Sequence, residues 1–447
     1  MDYLEWQWAR FAGGSAAPGV IWRDREHTYA ELAARWEQWR GELDAAGIAP
    51  GSPVAVVGDY SPASITCLLA LAERRCILVP LSRESRNQHD SFFPIAEIGW
   101  RIALDAGDRA EITATGVPSS HPLLEQLRAR QEAGLVLFSS GSTGRPKAIL
   151  HALGSLLEKF RKPRHCYRTL SFLLFDHIGG VNTLLYTMAN LGSIVVPEDR
   201  SVAAVCRAVG RHRAELLPTS PSFLNLLLLA EAHKTHDLSS LKLITYGTEV
   251  MPERTLQLAG AAFPGATLQQ TYGLSEVGIL RSKSAGNNSL LVKVGGEDYE
   301  TKVVNGTLRV RARTSMLGYL NAPSPFDAEG WLDTGDAVIQ EGDYYRILGR
   351  ESEIINVGGQ KVYPAEVEKV IAEIPGVIDV AVIGEEHLLL GQIVTATVQM
   401  ETVSPAAEMK KRIVAAAQGR LQPYMIPSKV RVVTEPVVNA RFKKVRR

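Results

Sequence analysis

Short apolar segments alternate with helix-like segments through the first half of the chain, and this alternation constrains the fold more than any other feature. Apolar runs lie at 52–58, 76–81 and 101–104, and the helix-like segment SITCLLALAERR separates the first two. The pattern returns between residues 170 and 270, where LGSIVVP, AELLP and LKLITYG are strand candidates. Such alternation is typical of βαβ units with a largely parallel sheet. The sequence therefore predicts an α/β fold.

The pattern of apolar and polar residues changes from about residue 285. The segments SLLVKVG, TLRVRA and YYRILGR alternate apolar and polar residues, which predicts half-exposed antiparallel strands in a small β-rich subdomain. A self-contained segment follows Arg350, with a predicted amphipathic helix, YPAEVEKVIAEIPG, and two strands, VIDVAVIG and IVTATV. We predict a domain boundary near Glu351 and Ser352, between residues 1–350 and 351–447.

Length, charge and cysteine content limit the classes of protein that this chain can belong to. Its 447 residues exceed what one hydrophobic core usually fills. With 49 basic and 48 acidic residues, nothing indicates a nucleic-acid partner, and the four cysteines lack metal-site or disulfide spacing. The N-terminus does not resemble a secretory signal, and no uncharged apolar run is long enough to span a bilayer. We expect a cytoplasmic location and no membrane partner.

A strand-like run leads into a loop rich in glycine and hydroxyl groups in the segment LVLFSSGSTGRPK. Backbone N–H groups and hydroxyls in such a loop suit a phosphate, and Lys147 adds a positive charge. The loop is not a Walker A motif, because Ala148 follows the lysine. A flexible turn is the alternative interpretation of the loop alone. The predicted phosphate-binding residues are Ser139, Ser140, Gly141, Ser142, Thr143 and Gly144.

Six motifs occur in a fixed order along the chain: SSGSTGRPK, TYGLSE (271–276), GWLDTGD (330–336), YRILGR (345–350), INVGGQKVYPAEVE (355–368) and a lysine near the C-terminus. In this order and at these separations they resemble the adenylate-forming acyl-CoA synthetases, a superfamily that includes luciferases and the adenylation domains of nonribosomal peptide synthetases. The resemblance covers essentially the whole chain. It implies a large N-terminal domain of stacked αβα sheets with a small β-rich subdomain, and a small α+β C-terminal domain on a hinge.

The resemblance also implies a binding site for ATP and Mg²⁺. It makes Glu276 the metal ligand, Asp336 the acceptor for both ribose hydroxyls, and Arg350 a contact to the ribose or the phosphates. Tyr272 would stack on adenine. Taken alone, each residue also fits a structural role, such as a solvated surface glutamate or an aspartate that caps its own turn. The segment TYGTEV (245–250), with Gly247 and Thr248, resembles a second turn that contacts adenine, here called the adenine turn. The remaining predicted nucleotide contacts are Thr271, Gly273 and Ser275.

The reaction that the resemblance implies has two halves. A carboxylic acid is first activated as an acyl adenylate, and a thiol of CoA, or of the phosphopantetheine on a carrier protein acting in trans, then takes the acyl group. Lys444 aligns with the catalytic lysine, although Lys443 stands at the family's usual glycine and leaves the register open. Gly358 and Gly359 would border the pantetheine path after the C-terminal domain rotates. Ser352 stands at the usual hinge position.

The acid is the least constrained part of the prediction. The segment LLFDHIGGVNTLLYTMANLG aligns without gaps to a CoA-ligase motif through His177, which predicts that His177 lines the path of the carboxylate or the thiol. This favours a fatty, aryl or polyketide-like acid. If Asp176 instead faces the substrate, the carboxylate would pair with the amino group of an amino acid. A homologue that binds an adenylate without turnover is a further alternative.

Overall fold

The structure is a computed structural model of the chain. It describes residues 4–140, 145–296, 298–402, 404–438 and 444. The predicted phosphate-loop residues Gly141, Ser142, Thr143 and Gly144, and the alternative lysine Lys443, lie outside the described residues. For Ser140 the backbone is described as part of a strand.

Helices are distributed along the whole described part of the chain. They are α1 (Glu5–Gly13), α2 (Tyr29–Ala45), α3 (Pro62–Glu73), α4 (His89–Ile95), α5 (Pro122–Arg130), α6 (Leu153–Leu157), α7 (Ile178–Ala189), α8 (Val202–His212), α9 (Pro221–Leu229), α10 (Ala232–Thr235), α11 (Glu253–Ala262), α12 (Pro364–Ala372) and α13 (Ala406–Ala417). Among the described residues, no helix combines the length and the apolar character that crossing a membrane requires.

Strands fall into three stretches of the chain. The first stretch holds β1 (Pro18–Trp22), β2 (Arg25–Thr28), β3 (Pro53–Gly58), β4 (Ile77–Ser82), β5 (Trp100–Leu104), β6 (Ala110–Ala114), β7 (Gly134–Ser140), β8 (Pro146–Ala152), β9 (Arg168–Leu170), β10 (Ser193–Val195), β11 (Leu216–Thr219), β12 (Leu243–Tyr246) and β13 (Thr267–Gln270). The second holds β14 (Gly273–Leu274), β15 (Gly278–Ile279), β16 (Ser282–Ser284), β17 (Leu291–Val294), β18 (Tyr299–Val304), β19 (Thr307–Ala312), β20 (Gly318–Tyr319), β21 (Leu332–Glu341) and β22 (Tyr344–Arg350). The third holds β23 (Ile355–Val357), β24 (Gln360–Val362), β25 (Val377–His387), β26 (Gly391–Met400) and β27 (Lys429–Val433).

Two sheets form the N-terminal region: the first is parallel except between β1 and β2, and the second is parallel only through β7, β4, β3 and β5, with antiparallel pairings at both ends. One runs in the order β13-β12-β11-β9-β10-β1-β2, and the other in the order β20-β8-β7-β4-β3-β5-β6. Their inner faces share a single core, because Val20 and Ile194 of the first sheet belong to the same apolar cluster as Val54 and Val56 of the second. Helix α3 lies in this cluster and is apolar on every side, as a helix enclosed between layers must be. The predicted α/β class with stacked layers is confirmed.

An antiparallel sheet and a smaller C-terminal sheet complete the fold. The antiparallel sheet has the order β16-β17-β22-β21-β19-β18, as the alternating segments after residue 285 predict. The C-terminal sheet pairs β24-β23-β26-β25, with β27 parallel to β26. Helix α12 ends at Ala372, so the predicted apolar position Ile374 lies after the helix, although it is buried. The chain leaves the antiparallel sheet at Arg350 and enters the C-terminal sheet at Ile355. The boundary at 350/351 stays a prediction.

Polar contacts join the C-terminal sheet and its helices to the N-terminal region. Lys369 Nζ lies 2.7 Å from Glu253 Oε2, and Arg254 Nη1 donates to the carbonyl oxygen of Ala372 at 2.8 Å. Asn225 Nδ2 donates to the carbonyl oxygen of Ile378 at 3.3 Å. Both members of the ion pair are partly exposed, and a pair of this kind contributes little free energy of association.

The start of α7 depends on a glycine. His177 is the N-cap residue, and its Nδ1 accepts a hydrogen bond from the backbone N–H of Gly179 at 3.2 Å. A Cβ atom on Gly180 would lie 1.8 Å from the carbonyl oxygen of Leu174, so the preceding loop can approach the helix only because residue 180 has no side chain. This contact fixes the segment that carries His177.

We predict that Gly180→Ala lowers the thermal unfolding temperature, whereas Gly179→Ala leaves it nearly unchanged. The Gly180 variant must displace a backbone carbonyl, at a cost of about 2 kcal/mol that exceeds the helix-propensity gain of alanine. A Cβ atom on Gly179 would lie 3.1 Å from the flexible end of Leu173 and in ordinary contact with His177 Nδ1 at 3.5 Å, and it would meet no backbone atom within 4 Å among its three nearest neighbours. Differential scanning calorimetry on both variants checks this, and equal unfolding temperatures would contradict the close approach.

Candidate active site

Asp336 is a buried carboxylate with partners from two other parts of the chain. The hydroxyl of Tyr272 donates to Oδ2 at 2.5 Å, and Arg350 Nε lies 2.8 Å from Oδ1. The backbone N–H of Asp336 donates to Thr334 Oγ1 at 3.0 Å. The pairing of β21 with β22 places Asp336 opposite Arg350, so strand register fixes the ion pair. The structure therefore brings together three residues that the sequence predicted separately.

Burial sets the electrostatics of this cluster. It raises the pKa of Asp336, while Arg350 and the hydrogen bond from Tyr272 act in the opposite direction. Burial also raises the pKa of Tyr272 well above its usual value, and the carboxylate of Asp336 raises it further. Tyr272 therefore keeps its proton and acts as the donor. Arg350 remains half exposed, with 47% of its side chain accessible, so a charged ligand can reach its guanidinium.

Glu276 lies four residues after Tyr272 and has a second set of partners. The hydroxyl of Tyr319 donates to Glu276 Oε1 at 2.7 Å. Lys147 Nζ lies 4.9 Å from the centre of the Tyr319 ring, and Lys147 pairs with Ser139 across β7 and β8. Tyr319 therefore contacts both the predicted metal ligand and the lysine at the end of the predicted phosphate loop.

Three supporting residues were missed by the sequence prediction. Tyr319 and Asn321 lie two residues apart, and the side chain of Asn321 accepts from Ala148 N at 3.0 Å and donates to the carbonyl oxygen of Pro146 at 2.8 Å. His151 lies in β8, where Nε2 is 2.6 Å from the carbonyl oxygen of Ser275. Two features of the sequence could have indicated them: the tyrosine and the asparagine in the segment LGYLN, and a histidine within an apolar strand. These residues hold the backbone on either side of Lys147 and next to Glu276.

Glycines allow two turns of the site to approach each other. A Cβ atom on Gly247 would lie 2.6 Å from Thr271 Oγ1, and a Cβ atom on Gly273 would lie 2.5 Å from the carbonyl oxygen of Gly278. The backbone N–H of Thr271 donates to the carbonyl oxygen of Tyr246 at 2.8 Å. Thr248 has a φ of 73°, a left-handed conformation that side chains rarely adopt. The predicted adenine turn therefore lies directly beside the TYGLSE segment.

The two candidate substrate residues His177 and Asp176 have different surroundings. His177 is half buried at the start of α7. Asp176 is buried, and its Oδ2 accepts hydrogen bonds from the backbone and the hydroxyl of Ser82 and from Ser85 Oγ, the last at 3.2 Å. Ser85 Oγ in turn lies 3.1 Å from Nε2 of His89. The Asp176 carboxylate is therefore part of a hydrogen-bonded network within the protein.

Lys444 is held by acidic residues of helix α12 and the C-terminal sheet. Its ammonium lies 3.2 Å from Glu368 Oε2 and 3.2 Å from Asp379 Oδ1, and it donates to the carbonyl oxygen of Val380 at 2.8 Å. Its backbone N–H donates to Glu249 Oε1 at 2.8 Å. Glu249 follows the Gly247–Thr248 turn, and burial raises the pKa of its carboxyl group. The backbone of Lys444 thus reaches the predicted adenine turn, while its ammonium contacts the C-terminal sheet.

The Gly358–Gly359 turn lies in a different part of the structure. Both glycines have positive φ values, 59° and 86°. The backbone N–H of Gly359 donates to Asn356 Oδ1 at 2.9 Å, and that of Gly358 donates to the carbonyl oxygen of Leu390 at 2.8 Å. These contacts tie the turn to its own domain and not to the Asp336 and Glu276 clusters. Ser352 lies in a short 3-10 helix, Glu351–Glu353, between the two sheets.

Comparison with known proteins gives matches along most of the chain. A family model described as AMP-binding enzyme matches residues 4–320, and one described as AMP-binding enzyme C-terminal domain matches residues 366–443. An indoleacetate–CoA ligase from Aromatoleum aromaticum is 28% identical over 96% of this chain and 94% of its own length. A feruloyl-CoA synthase from an Amycolatopsis species is 28% identical over 90% of this chain and 89% of its own. The crystal structure of an anthranilate CoA ligase with anthranoyl-AMP has the same fold, with a TM-score of 0.84 at 20% identity over 99% of this chain and 95% of that one.

We predict that His151→Gln reduces the loss of stability on acidification. Burial lowers the pKa of His151 from 6.5 to about 4, so between these values the unfolded chain binds a proton that the folded chain does not. Stability linked to His151 is therefore lost as the pH falls through this window, by about 3 kcal/mol in total. Urea unfolding across the pH range measures it, because glutamine can still donate to the Ser275 carbonyl oxygen. The exposed His387→Gln is the matched control, and parallel wild-type and His151→Gln curves would contradict the assignment.

Proposed function

The chain belongs to the AMP-binding enzyme family, and on this premise we propose that it is an acid–thiol ligase that uses ATP and CoA. The enzyme activates a carboxylic acid as an acyl adenylate and then forms the CoA thioester. Two relatives that align over most of the chain are named as CoA ligases or synthases of small carboxylic acids. They support a small-molecule carboxylic acid as substrate.

One observation carries this proposal: a single short segment, Tyr272 to Glu276, is anchored at both ends to residues that suit a nucleotide. Tyr272 contacts Asp336, which with Arg350 offers a carboxylate and a guanidinium to the ribose and the phosphates. Glu276 contacts Tyr319, which adjoins Lys147 beside the predicted phosphate loop. The two ends of this segment would then hold the ribose and the terminal phosphates of one ligand.

Glu276 also fits the predicted role of Mg²⁺ ligand. Its carboxylate provides hard oxygen ligands, and one of its oxygens accepts a hydrogen bond from the neutral hydroxyl of Tyr319. Among the described residues, no group of three or more His, Cys, Asp or Glu side chains is arranged around a common point. A magnesium ion at Glu276 would therefore take its other ligands from phosphate oxygens and water, as is usual for this ion. When bound, Mg²⁺ would neutralise charge on the phosphates.

The residues of the chain act through position and charge in the first half-reaction. A carboxylate oxygen of the acid attacks the α-phosphorus of ATP, the bond to the pyrophosphate oxygen breaks, and pyrophosphate leaves. Asp336 and Tyr272 orient the ribose and the base, while Lys147 and Arg350 stabilise negative charge on the phosphates. In the second half-reaction a thiol sulfur attacks the acyl carbon and AMP leaves. No protein side chain is required as a nucleophile.

The contacts of Asp176 favour an acid without an amino group. A carboxylate that recognised an ammonium would need to face the substrate, but Asp176 Oδ2 accepts hydrogen bonds from Ser82 and Ser85. We therefore propose that His177, at the start of α7, borders the acid or thiol path. We also propose CoA as the acceptor, with a carrier protein as the alternative that remains to be tested.

The surroundings of Lys444 bear on which lysine is catalytic. Its ammonium has carboxylate partners in Glu368 and Asp379, both of which are buried. Withdrawing one partner from a buried ion pair costs several kcal/mol. We propose that Lys444 keeps these contacts and that Lys443, the other register that the sequence allows, supplies the catalytic ammonium. The hinge at Ser352 and the passage of pantetheine past Gly358 and Gly359 are parts of the same proposal.

The proposed activity predicts acid-dependent exchange of labelled pyrophosphate into ATP when the protein is offered a broad panel of acids. Glu276→Gln should lower this exchange by about a hundredfold or more, because it removes a charge that acts on the phosphates. Tyr319→Phe is the matched milder variant, since it removes only the hydroxyl that holds Glu276. Circular dichroism should show that both variants remain folded.

The outcomes separate the alternatives for this activity. ATP binding without exchange on any acid of the panel would favour the adenylate-binding homologue without turnover. Exchange by Glu276→Gln at the wild-type rate would exclude Glu276 as the metal ligand. Mass spectrometry of reactions offered CoA or a phosphopantetheinylated carrier protein identifies the acceptor, and transfer only to the carrier would exclude CoA.

Lysine and glycine variants should separate the two half-reactions. We expect Lys443→Ala to abolish pyrophosphate exchange yet still convert a supplied acyl adenylate to the thioester, because the ammonium acts only during adenylation. Gly359→Leu should keep exchange and lose thioester formation, because its side chain would block the pantetheine path. Both half-reactions are followed separately by labelled exchange and by mass spectrometry.

Two controls accompany these variants. Lys444→Ala tests the other register, and loss of exchange in that variant together with wild-type exchange in Lys443→Ala would assign catalysis to Lys444. Gly419→Leu is matched to Gly359→Leu, because both glycines have positive φ and open space at the Cβ position. Equal damage to both half-reactions by Lys443→Ala and Gly359→Leu would contradict the two-conformation mechanism.

A further inference from the structure

Lys159 carries an ammonium group that is enclosed by the protein. It lies in a short 3-10 helix, Glu158–Phe160, and the residue as a whole is half buried, while its ammonium is strongly desolvated. Its Nζ donates to Asn182 Oδ1 at 2.6 Å and to the carbonyl oxygen of Ile279 at 2.9 Å. An ammonium has three N–H donors. Within the described residues, both of its hydrogen-bond acceptors are neutral and no carboxylate forms an ion pair with it.

The surroundings of Lys159 make this arrangement costly. Desolvation, together with a smaller effect of the positive charges of Arg164 and Arg281, lowers the pKa of the ammonium to about 7. A buried cation without a counter-ion destabilises a fold, and an apolar side chain of similar length would remove that cost. A residue that is unfavourable for stability and still present is a candidate for a functional role.

Lys159 lies between the two segments that border the proposed acid site. Asn182 is on α7, five residues after His177, which corresponds to about 7 Å along the helix axis. Ile279 is on β15, three residues after Glu276. The ammonium therefore bridges the helix that begins at His177 and the strand that follows Glu276.

We propose that Lys159 determines substrate specificity by binding a second carboxylate, at the end of the acid opposite the carboxylate that becomes adenylated. The inference rests on the proposed ligase function and names the substrate class as a dicarboxylic acid. A second carboxylate would accept the third N–H of Lys159 and would supply the missing counter-charge beside Arg164 and Arg281. Asn182 fixes the position of the ammonium through its side-chain oxygen.

The test compares pairs of acids that differ only at the far end: adipate with hexanoate, and terephthalate with para-toluate. Acid-dependent pyrophosphate exchange gives kcat/KM for each acid with the wild type and with Lys159→Met. We expect the wild type to prefer the dicarboxylic member of at least one pair, and Lys159→Met to reduce that preference by about tenfold or more, the scale of one charge-assisted hydrogen bond. The variant should unfold at the same temperature as the wild type or above it.

Two further variants separate specificity from a structural role. Lys234→Met removes an exposed lysine distant in sequence from the site and should leave the preference unchanged, whereas Lys159→Arg keeps a positive charge and should retain part of it. A lower unfolding temperature in Lys159→Met with an equal loss for both members of each pair would overturn the proposal in favour of a structural tie. Wild-type preference for hexanoate and para-toluate would overturn it while leaving the ligase function in place. Absence of exchange with every acid would overturn the ligase function itself, and this inference with it.

Discussion

The carboxylate of Asp336 is the contact on which the candidate site depends. It joins the strand pair β21 and β22 to the segment that begins at Tyr272, and it does so where solvent is largely excluded. Removing one partner of a buried, hydrogen-bonded charge leaves the other partners unsatisfied, which costs several kcal/mol. The position of Glu276 follows from this anchor, because only three residues separate it from Tyr272.

The C-terminal domain is attached in a different way. Its apolar cluster, as far as the structure describes it, is built from residues between Ile355 and Val432 and draws none from the N-terminal region. Contacts across the boundary are ion pairs and hydrogen bonds, such as Lys369 with Glu253 and the backbone of Lys444 with Glu249. The exposed pair of Lys369 and Glu253 contributes little free energy to this attachment, whereas the contact with Glu249 is buried.

Two charged side chains near the proposed acid site illustrate how environment decides a role. Asp176 is buried, and one of its carboxylate oxygens, Oδ2, accepts hydrogen bonds from Ser82 and Ser85. Lys159 donates to Asn182 and to a backbone carbonyl, which leaves its charge without a counter-ion among the described residues. The first arrangement stabilises the loop before α7. The arrangement around Lys159 is unfavourable unless a ligand supplies the counter-ion.

The sequence by itself determined the α/β class and the change to antiparallel strands after residue 285, because periodicity is a local property. Its short motifs, through the resemblance that they carry, predicted Asp336, Arg350 and Glu276 as site residues. It did not reveal Tyr319, Asn321 or His151, whose hydrogen-bond partners lie 43, 173 and 124 residues away in the chain, respectively. Tertiary structure alone decided that Asp176 bonds to Ser82, that the Lys444 ammonium contacts Glu368, and that the Lys159 ammonium is enclosed. The physical reason is that burial and partnership of a charge depend on which distant segments the packing of the sheets brings together, and no local pattern encodes that.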